Sequence, residues 1–392
     1  SSDLLGGFTA RDLQRTCPNG YNGQMLNDDG QQRKQATDAP GGPPEIADEA
    51  LDALVSVLDL VRHGVAMSRP EIIRRTGLGR SVIVQRVQEL LDRALLIEAG
   101  LGVSSGGRAP RALQFNAQAG HILVADLGAT SIGVGLADLS GTLVEQYEEP
   151  ADIKAGPEVI LGRVDELFAD LLSTPRLSVG PLWGIGIGIP GPVEFATGRP
   201  VSPPIMPGWD DYPVRERFGG RYHLPVWVDN DVNIAALGEY RAGVARGHAA
   251  AIFVKVGTGI GAGIMIDGKV HRGAQGSAGD VGHIQVTEDA SIVCRCGNVG
   301  CLEALASGAA LARDGTLAAI DGRSPQLADR LKQAGRIEAV DVEGHVHPLR
   351  QVGDDRVADP PPGLAGEAAF RELSVVVNLD AVTHGQIGRA HV

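Results

Sequence analysis

The chain has 392 residues, of which 43% are hydrophobic and 21% charged, a balance typical of globular proteins with more than one domain. Its formal net charge of −13 argues against binding nucleic acid over the whole surface. No apolar run approaches the ~20 residues of a membrane-spanning helix, and no signal peptide is visible at the N-terminus. We therefore expect a cytoplasmic protein without membrane insertion.

The N-terminal part of the chain changes character near residue 46. Residues 1–45 are polar and rich in glycine and proline, which predicts a disordered tail. Three amphipathic helical stretches follow, with a tight turn (Gly-Leu-Gly) at 77–79 between the second and the third. A strand, a glycine-rich tip (SSGGRAPR) and a returning strand (RALQFN) come next. This order predicts a winged helix-turn-helix domain over residues 46–118.

This predicted domain is basic, although the whole chain is acidic. Between Val61 and Arg111 there are nine arginines and no lysine, against four acidic residues. The third helix should bury Ile83 and Val87 and turn polar side chains outward, where Arg and Gln can pair with base edges in the major groove of DNA. The candidate DNA contacts are Arg80, Ser81 and Gln85 on this helix, and Arg108 and Arg111 beside the hairpin tip. A winged helix used only for protein contacts is the alternative.

From about Gly120 onward, apolar strands end in turns that carry glycine or aspartate, and a helical stretch separates two of the strands. In open α/β folds, ligands bind at such strand ends. The pattern predicts two α/β lobes, residues 119–247 and 248–392, with a cleft between them.

Two turns of small residues are candidates for holding phosphate. An aspartate at a strand end can hold Mg²⁺, and the backbone N–H groups of small residues can approach phosphate oxygens. The residues concerned are Asp126, Gly128 and Thr130 in DLGAT, and Gly257, Thr258 and Gly259 in VGTGIGAG. Glycine-rich turns are common, so either turn alone is weak, but the two on successive lobes favour a phosphate-bearing ligand.

The stretch VDNDVN places Asn230 and Asp231 directly after a predicted strand. A carboxylate there could act as a general base on a sugar hydroxyl while the amide orients the substrate. The competing interpretation is a turn in which the pair caps the following helix, NIAALGEY.

Three of the four cysteines fall within eight residues, in SIVCRCGNVGCLE. Cys294, Cys296 and Cys301 follow His283 by eleven residues or more. Three thiolates and one imidazole make a closed tetrahedral set for structural Zn²⁺, and a Cys294–Cys296 disulfide would close a strained ring. In a reducing compartment the sequence favours Zn²⁺ over a disulfide.

With these motifs in view, the chain resembles the ROK family (repressor, ORF, kinase) over roughly residues 46–380. The resemblance is most specific at DLGAT, IPGPVE, VDND, VGTGIGAGI, GDVGH and CRCGNVGCLE. The attached domain, with TGLGRS and SSGGRAP, resembles that of the family's transcriptional regulators. Membership implies a two-lobed actin-like, ribonuclease-H-like sugar-kinase fold, a sugar in the cleft, and zinc shaping a loop that holds the sugar. The sugar contacts carried over by position are Asn230, Asp231, Asp280, His283 and Glu303, with Asp231 as the base if the protein is a kinase.

The chain departs from the family pattern in four places. In the third helix, Gly79 replaces a common serine, and Val82 and Val84 stand where polar residues are frequent. Asp280 stands where the family usually has glutamate, and Ala129 stands where its kinases usually have glycine. The sequence ends at THGQIGRAHV, before the family's nucleotide-binding strand, so we expect a second lobe that is incomplete at its C-terminus.

Together these features predict a sugar-responsive transcriptional regulator, more specifically a repressor. It would bind operator DNA as a homodimer or a dimer of dimers, with a sugar or sugar phosphate as effector and structural Zn²⁺ as cofactor. The enzyme alternative is an ATP-dependent sugar kinase, with Mg²⁺ and ATP as cofactors, alone or combined with regulation. A third class is a zinc-stabilised protein-interaction module.

Overall fold

The computed structural model of the chain describes residues 48–101, 111–174, 179–343 and 373–378. The predicted N-terminal tail and Arg108 lie outside these ranges. Within them, no helix is long and apolar enough to cross a membrane.

Among the described residues, the N-terminal part contains three helices and one antiparallel hairpin. The elements are α1 (Asp48–Arg62), α2 (Arg69–Thr76), α3 (Arg80–Asp92), β1 (Leu96–Leu101) and β2 (Arg111–Phe115). They share one core, in which Val57, Ile72, Ile83 and Leu90 are fully buried. Gly77 ends α2 with a φ of 70°, in the left-handed region that favours glycine. The turn that the sequence predicted therefore separates α2 from α3.

The first large sheet has five strands and forms the first lobe. The strands are β3 (His121–Leu127), β4 (Ser131–Asp138), β5 (Leu143–Pro150), β6 (Leu182–Ile189) and β9 (Val226–Asn230), in the order β5-β4-β3-β6-β9. The three strands β3, β6 and β9 are parallel. The helices are α4 (Pro157–Ser173) and α5 (Val214–Tyr222), and a small hairpin has the strands β7 (Val193–Glu194) and β8 (Arg199–Pro200). Phe168, Trp209 and Phe218 fill the core together with the sheet.

The second sheet has four antiparallel strands in the order β12-β11-β10-β13. They are β10 (Ala250–Val256), β11 (Ile260–Ile266), β12 (Lys269–Val270) and β13 (Leu373–Asn378). The helices of this half are α6 (Asp231–Arg241), α7 (Leu302–Ala306), α8 (Gly308–Ile320), α9 (Pro325–Ala334) and α10 (Ala339–Glu343). Two mixed α/β lobes are therefore present.

Helix α6 packs with the second sheet, although it precedes residue 247, where the sequence analysis placed the boundary between the lobes. Val232 and Ala236 on α6 are buried in the core of the second sheet, together with Phe253 and Met265. The helix can come this close because β11 carries glycine opposite it: a Cβ added at Gly263 would lie only 2.4 Å from the Cβ of Ala236. Judged by the packing of these side chains, the chain therefore passes from the first lobe to the second at the junction of β9 and α6.

One buried ion pair joins the two lobes beside this junction. Arg272 follows β12 and donates through Nε and Nη2 to Oδ2 of Asp229, at 2.9 and 2.7 Å. Its guanidinium also lies over the ring of Phe195, 3.8 Å from the ring centroid. Asp229 belongs to β9 of the first lobe and its side chain is only 7% exposed. Arg272 therefore fastens a loop of the second lobe to the first.

Replacing Arg272 with methionine should lower the free energy of unfolding by about 3 kcal/mol, because one partner of a buried ion pair is left without compensation. The control is Arg323→Met, which breaks an exposed pair with Asp321 and should cost less than about 1 kcal/mol. Urea denaturation of both variants measures the difference. Equal losses would contradict the role assigned to Arg272.

Candidate functional site

A cleft between the two lobes collects most of the residues that the sequence singled out. Its walls are the β3–β4 turn (128–131), the segment after β6 (190–192), the start of α6 (230–233), the start of β11 with its preceding turn (257–262), and the loop that carries Asp280 and His283. These are strand ends and helix starts, as open α/β folds place their ligand sites.

The sequence left two roles open for Asn230 and Asp231, a cap of the following helix and a side chain that faces a ligand, and the two residues differ in this respect. Asn230 caps α6, since its Oδ1 accepts hydrogen bonds from the N–H groups of Val232 and Asn233 at 3.0 and 3.1 Å. Its Nδ2 donates to the carbonyl oxygen of Gly191 and to Oδ1 of Asp231. Asn230 is therefore an anchor that holds Asp231 in the cleft.

The carboxyl group of Asp231 is buried in the cleft beside a lysine, and its pKa is raised. Its side chain is 9% exposed, and Lys255 Nζ lies 3.1 Å from its Oδ2. Burial raises the pKa of Asp231 to about 6; Lys255 acts in the opposite direction, and the nearby charge of Asp126 adds to the rise. A carboxylate with a pKa near neutrality is suited to proton transfer as well as to accepting a hydroxyl hydrogen bond.

Asp280 and His283 face each other on the opposite wall, with Asp280 Oδ1 and His283 Nε2 3.8 Å apart. Burial raises the pKa of Asp280, and the charge of Glu303 adds to the rise while His283 opposes it. Glu303 lines the same cleft, but both its oxygens already accept hydrogen bonds, from the N–H of Ile260 and from Arg295. Asp280, with a side chain that is 39% exposed against 10% for Glu303, is the more accessible of the two acids.

The two glycine-bearing turns that are candidates for binding phosphate line the cleft, but some of their backbone N–H groups already donate hydrogen bonds within the protein. The N–H of Gly128 donates to the carbonyl of Ser131, and the N–H of Gly257 donates to the carbonyl of Gly259, both at 2.9 Å. The carbonyl of Thr258 accepts a hydrogen bond from Arg295. Asp126, at the end of β3, is exposed, as is Thr130 in the turn that follows. These turns therefore offer fewer N–H groups to a phosphate than their sequences suggested.

The third wall of the cleft is built on a cluster of four metal-binding side chains. The ligand atoms of His283, Cys294, Cys296 and Cys301 all lie within 4.8 Å of one another. A tight turn brings them together: the N–H of Gly297 donates to the carbonyl of Cys294 at 2.9 Å, and Gly297 has a φ of 90°. The second glycine is needed for space, since a Cβ on Gly300 would lie 1.8 Å from the carbonyl oxygen of Thr287.

The spacing within the cluster fits a tetrahedral ion. Two sulfurs at about 2.3 Å from one ion are about 3.8 Å apart at the tetrahedral angle, and Cys296 Sγ and Cys301 Sγ are separated by 3.8 Å. His283 turns Nδ1 towards Cys294 Sγ, at 3.5 Å, and leaves Nε2 towards Asp280. All three cysteines are free thiols, and burial raises the pKa of Cys301 to about 12. The cluster can hold a metal ion, which would compensate the buried thiolates.

The candidate DNA contacts on α3 share one exposed face. Arg80, Ser81 and Gln85 are exposed there, together with Val84, which is 47% exposed. Arg111 on β2 is exposed as well, but it pairs with Glu98 of the neighbouring strand. Part of the positive charge expected at the hairpin is therefore neutralised within the hairpin itself.

Comparison with known proteins now adds to this geometry. Residues 100–338 match the sequence profile of the ROK family. The chain belongs to the ROK family. It is 36% identical to a xylose repressor of Caldicellulosiruptor bescii over 257 residues, and this alignment covers 65% of this chain and 63% of the repressor. It is also 36% identical over 217 residues to a glucokinase of Halalkalibacterium halodurans, covering 55% of this chain and 66% of the kinase. The chain thus matches less than two thirds of the length of either relative.

The similar solved structures likewise include both a regulator and a kinase. A ROK family transcriptional regulator, a homolog of the E. coli MLC protein, superimposes with a TM-score of 0.57 at 25% identity, covering 70% of this chain and 69% of the regulator. A ROK family glucokinase from Streptomyces griseus, in complex with glucose and AMPPNP, gives a TM-score of 0.50 at 30% identity, covering 57% of this chain and 70% of the kinase. The two lobes therefore have the fold shared by ROK regulators and sugar kinases.

Sequence reasoning missed two cationic residues of this ROK cleft. Lys255 pairs with Asp231, and Arg295 donates to both Thr258 and Glu303. Arg295 lies between two of the cysteines, and Lys255 lies two residues before the glycine turn of β10 and β11. Their positions inside or beside the recognised motifs could have pointed to both residues, since a charged side chain next to a binding turn changes the electrostatic potential there.

Proposed function

We propose that this ROK protein is a sugar-responsive transcriptional regulator, with repression as its mode of action. The observation that carries the proposal is the exposed face of α3, with Arg80, Ser81 and Gln85, on a helical domain that precedes a polar cleft. A stand-alone sugar kinase has no need of that face. The relatives named xylose repressors support the same direction.

In this proposal residues 46–118 form a winged helix-turn-helix domain. Helix α3 would lie in the major groove, where Arg80 and Gln85 can pair with base edges and the exposed Val84 can contact a thymine methyl group. Arg111, and Arg108 from outside the described residues, would contact the sugar-phosphate backbone. A homodimer, or a dimer of dimers, would present its recognition helices in two-fold pairs and so select a palindromic operator.

The cleft would bind a neutral sugar or a sugar phosphate. Asp231 and Asp280 are carboxylates that can accept hydrogen bonds from hydroxyl groups, and His283 Nε2 lies beside Asp280. Since all three are partly or largely buried, hydrogen bonds to them would be stronger than in water. The effector would act through its different affinities for the DNA-binding and the non-binding forms of the dimer.

We also propose that the cluster of His283 and the three cysteines holds a structural Zn²⁺ ion. The set of three thiols and one imidazole, at tetrahedral spacing and without a position for water, is the composition of structural zinc sites. The ion would hold His283, and through the same loop Arg295 and Glu303, in the orientation that the cleft needs.

A gel-shift experiment with DNA from upstream of the gene tests the regulator. We expect specific binding that changes when one member of a panel including D-xylose, D-glucose and their phosphates is added. Arg80→Ala should weaken specific binding by about 1–3 kcal/mol, the value of one good base contact. Arg323→Ala, which removes an exposed arginine far along the chain, should leave binding unchanged. Equal binding of specific and unrelated DNA by a folded protein would refute the proposal.

Metal analysis of the purified chain tests the cofactor. We expect about one Zn²⁺ per chain, as a closed four-ligand site holds one ion. The Cys296→Ser variant should lose the ion and unfold at lower temperature, whereas Ser291→Ala, in the same loop, should keep it. A folded, thermally unchanged protein without zinc would exclude the site.

The second candidate function is an ATP-dependent sugar kinase, favoured by the pKa of Asp231 and by the glucokinase relatives. Asp231 would accept the proton of the sugar hydroxyl that attacks the phosphate. The residues present fit a nucleotide with Mg²⁺ only in part, because the N–H groups of Gly128 and Gly257 already have acceptors. We therefore place this function second.

If the protein phosphorylates a sugar, Asp231→Asn should abolish the activity while DNA binding stays intact. The pKa of Asp231 is raised to about 6, so the basic form is present above this pH and is lost below it. Activity should therefore fall as the pH decreases through about 6. ADP release measured across a pH series checks both points. Asp314→Asn, an exposed acid on α8, is the control, and full activity in Asp231→Asn would exclude the assigned base.

A further inference from the structure

Two charged side chains line the cleft side by side, and a third lies near them. Asp231 begins α6 and Lys255 lies on β10, while Asp126 is the penultimate residue of β3. Both acids flank the same glycine: a Cβ added at Gly188 would lie 3.1 Å from Asp126 Oδ1 and 3.4 Å from Asp231 Cα. The charge of Asp126 raises the pKa of Asp231, so the two carboxylates repel each other. A positive charge beside Asp231 would offset this repulsion.

In principle a divalent ion could supply that positive charge. Mg²⁺ and Mn²⁺ take carboxylate oxygens as ligands and keep several of their own waters. The Lys255 ammonium is already in contact with Asp231, with Nζ 3.1 Å from Oδ2, and its side chain is only 19% exposed. An ion at this oxygen would have to displace the ammonium or bind beside a like charge in a partly buried place, which is unfavourable.

We propose that Lys255 is the built-in counter-ion of Asp231, that it takes the place of a divalent cation at this point of the cleft, and that it keeps Asp231 ionised as a hydroxyl acceptor. Lys255 is thus a positioning residue that favours the binding of a neutral polyol over the binding of a metal–phosphate complex. The proposal concerns the cation alone and does not depend on which sugar occupies the cleft or on DNA binding.

The charges around Lys255 and Asp231 support this assignment. On α6, Asp231 is preceded by the neutral cap Asn230, and on β3 the facing group is Asp126. Lys255 is the cation that opposes the burial of Asp231 and the charge of Asp126. Without it, the carboxyl group of Asp231 would keep its proton at higher pH and would accept hydroxyl hydrogen bonds less well.

Titration of the full chain with Mn²⁺, followed by the electron paramagnetic resonance of free Mn²⁺, tests the proposal. The measurement is made at about pH 8, above the pKa of about 6 that Asp231 has beside Lys255. We expect wild type to bind Mn²⁺ weakly at this point and Lys255→Met to bind it about tenfold more tightly, since a coupling of one pKa unit corresponds to a factor of ten. Lys332→Met, which removes an exposed lysine of α9 paired with Asp329, is the matched control and should behave as wild type.

Two further variants make the outcome decisive. The double variant Asp231→Asn/Lys255→Met should lose the gain, and Lys255→Arg should restore the weak binding of wild type. The proposal is wrong if Lys255→Met binds Mn²⁺ no more tightly than wild type, or if the gain persists without the Asp231 carboxylate. Circular dichroism establishes that each variant is folded, and Lys255→Gln replaces the methionine variant if that one is not.

Discussion

The junction between β9 and α6 is the constraint on which the rest of the structure depends. Three consecutive residues there do three different things. Asp229 binds Arg272 of the second lobe, Asn230 caps α6 and fixes the segment after β6, and Asp231 faces the cleft. Because the chain changes lobe at this point, one strand end joins the two halves and also presents the Asp231 carboxylate to the cleft.

The opposite wall is organised around the metal-binding loop. Arg295, between two cysteines, donates to the carbonyl of Thr258, and Glu303, two residues after Cys301, accepts from the N–H of Ile260. The N–H of Gly308 adds a third contact, to the carbonyl of Gly257. The segment that carries the four candidate metal ligands is thus fastened to the glycine turn at three points. Loss of the ion would disturb that turn as well as His283.

The same arrangement bears on the choice between regulator and kinase. Phosphoryl transfer depends on positioning and on cations that neutralise phosphate charge. In this cleft Lys255 contacts Asp231, Arg295 contacts Glu303, and N–H groups of both glycine turns have internal acceptors. Most of the positive charge is therefore paired with the protein's own acids. Such a site is better matched to a neutral sugar than to a nucleotide, which agrees with the proposal of a regulator.

The sequence by itself determined the two mixed lobes, the cluster of four side chains that could hold a metal ion, and the membership of the ROK family. These depend on local patterns: apolar strands, glycine turns, and cysteines close in sequence. Only the tertiary structure decided which lobe receives α6, since that depends on the space left by Gly263 for Ala236. It also decided that Asn230 is a cap, that Glu303 holds a turn, and that Lys255 and Arg272 carry charges across the cleft and between the lobes. Each of these roles joins residues far apart along the chain or competes for the same hydrogen-bonding atoms. A one-dimensional pattern shows which groups are present, but only their positions in space show which partner each one takes.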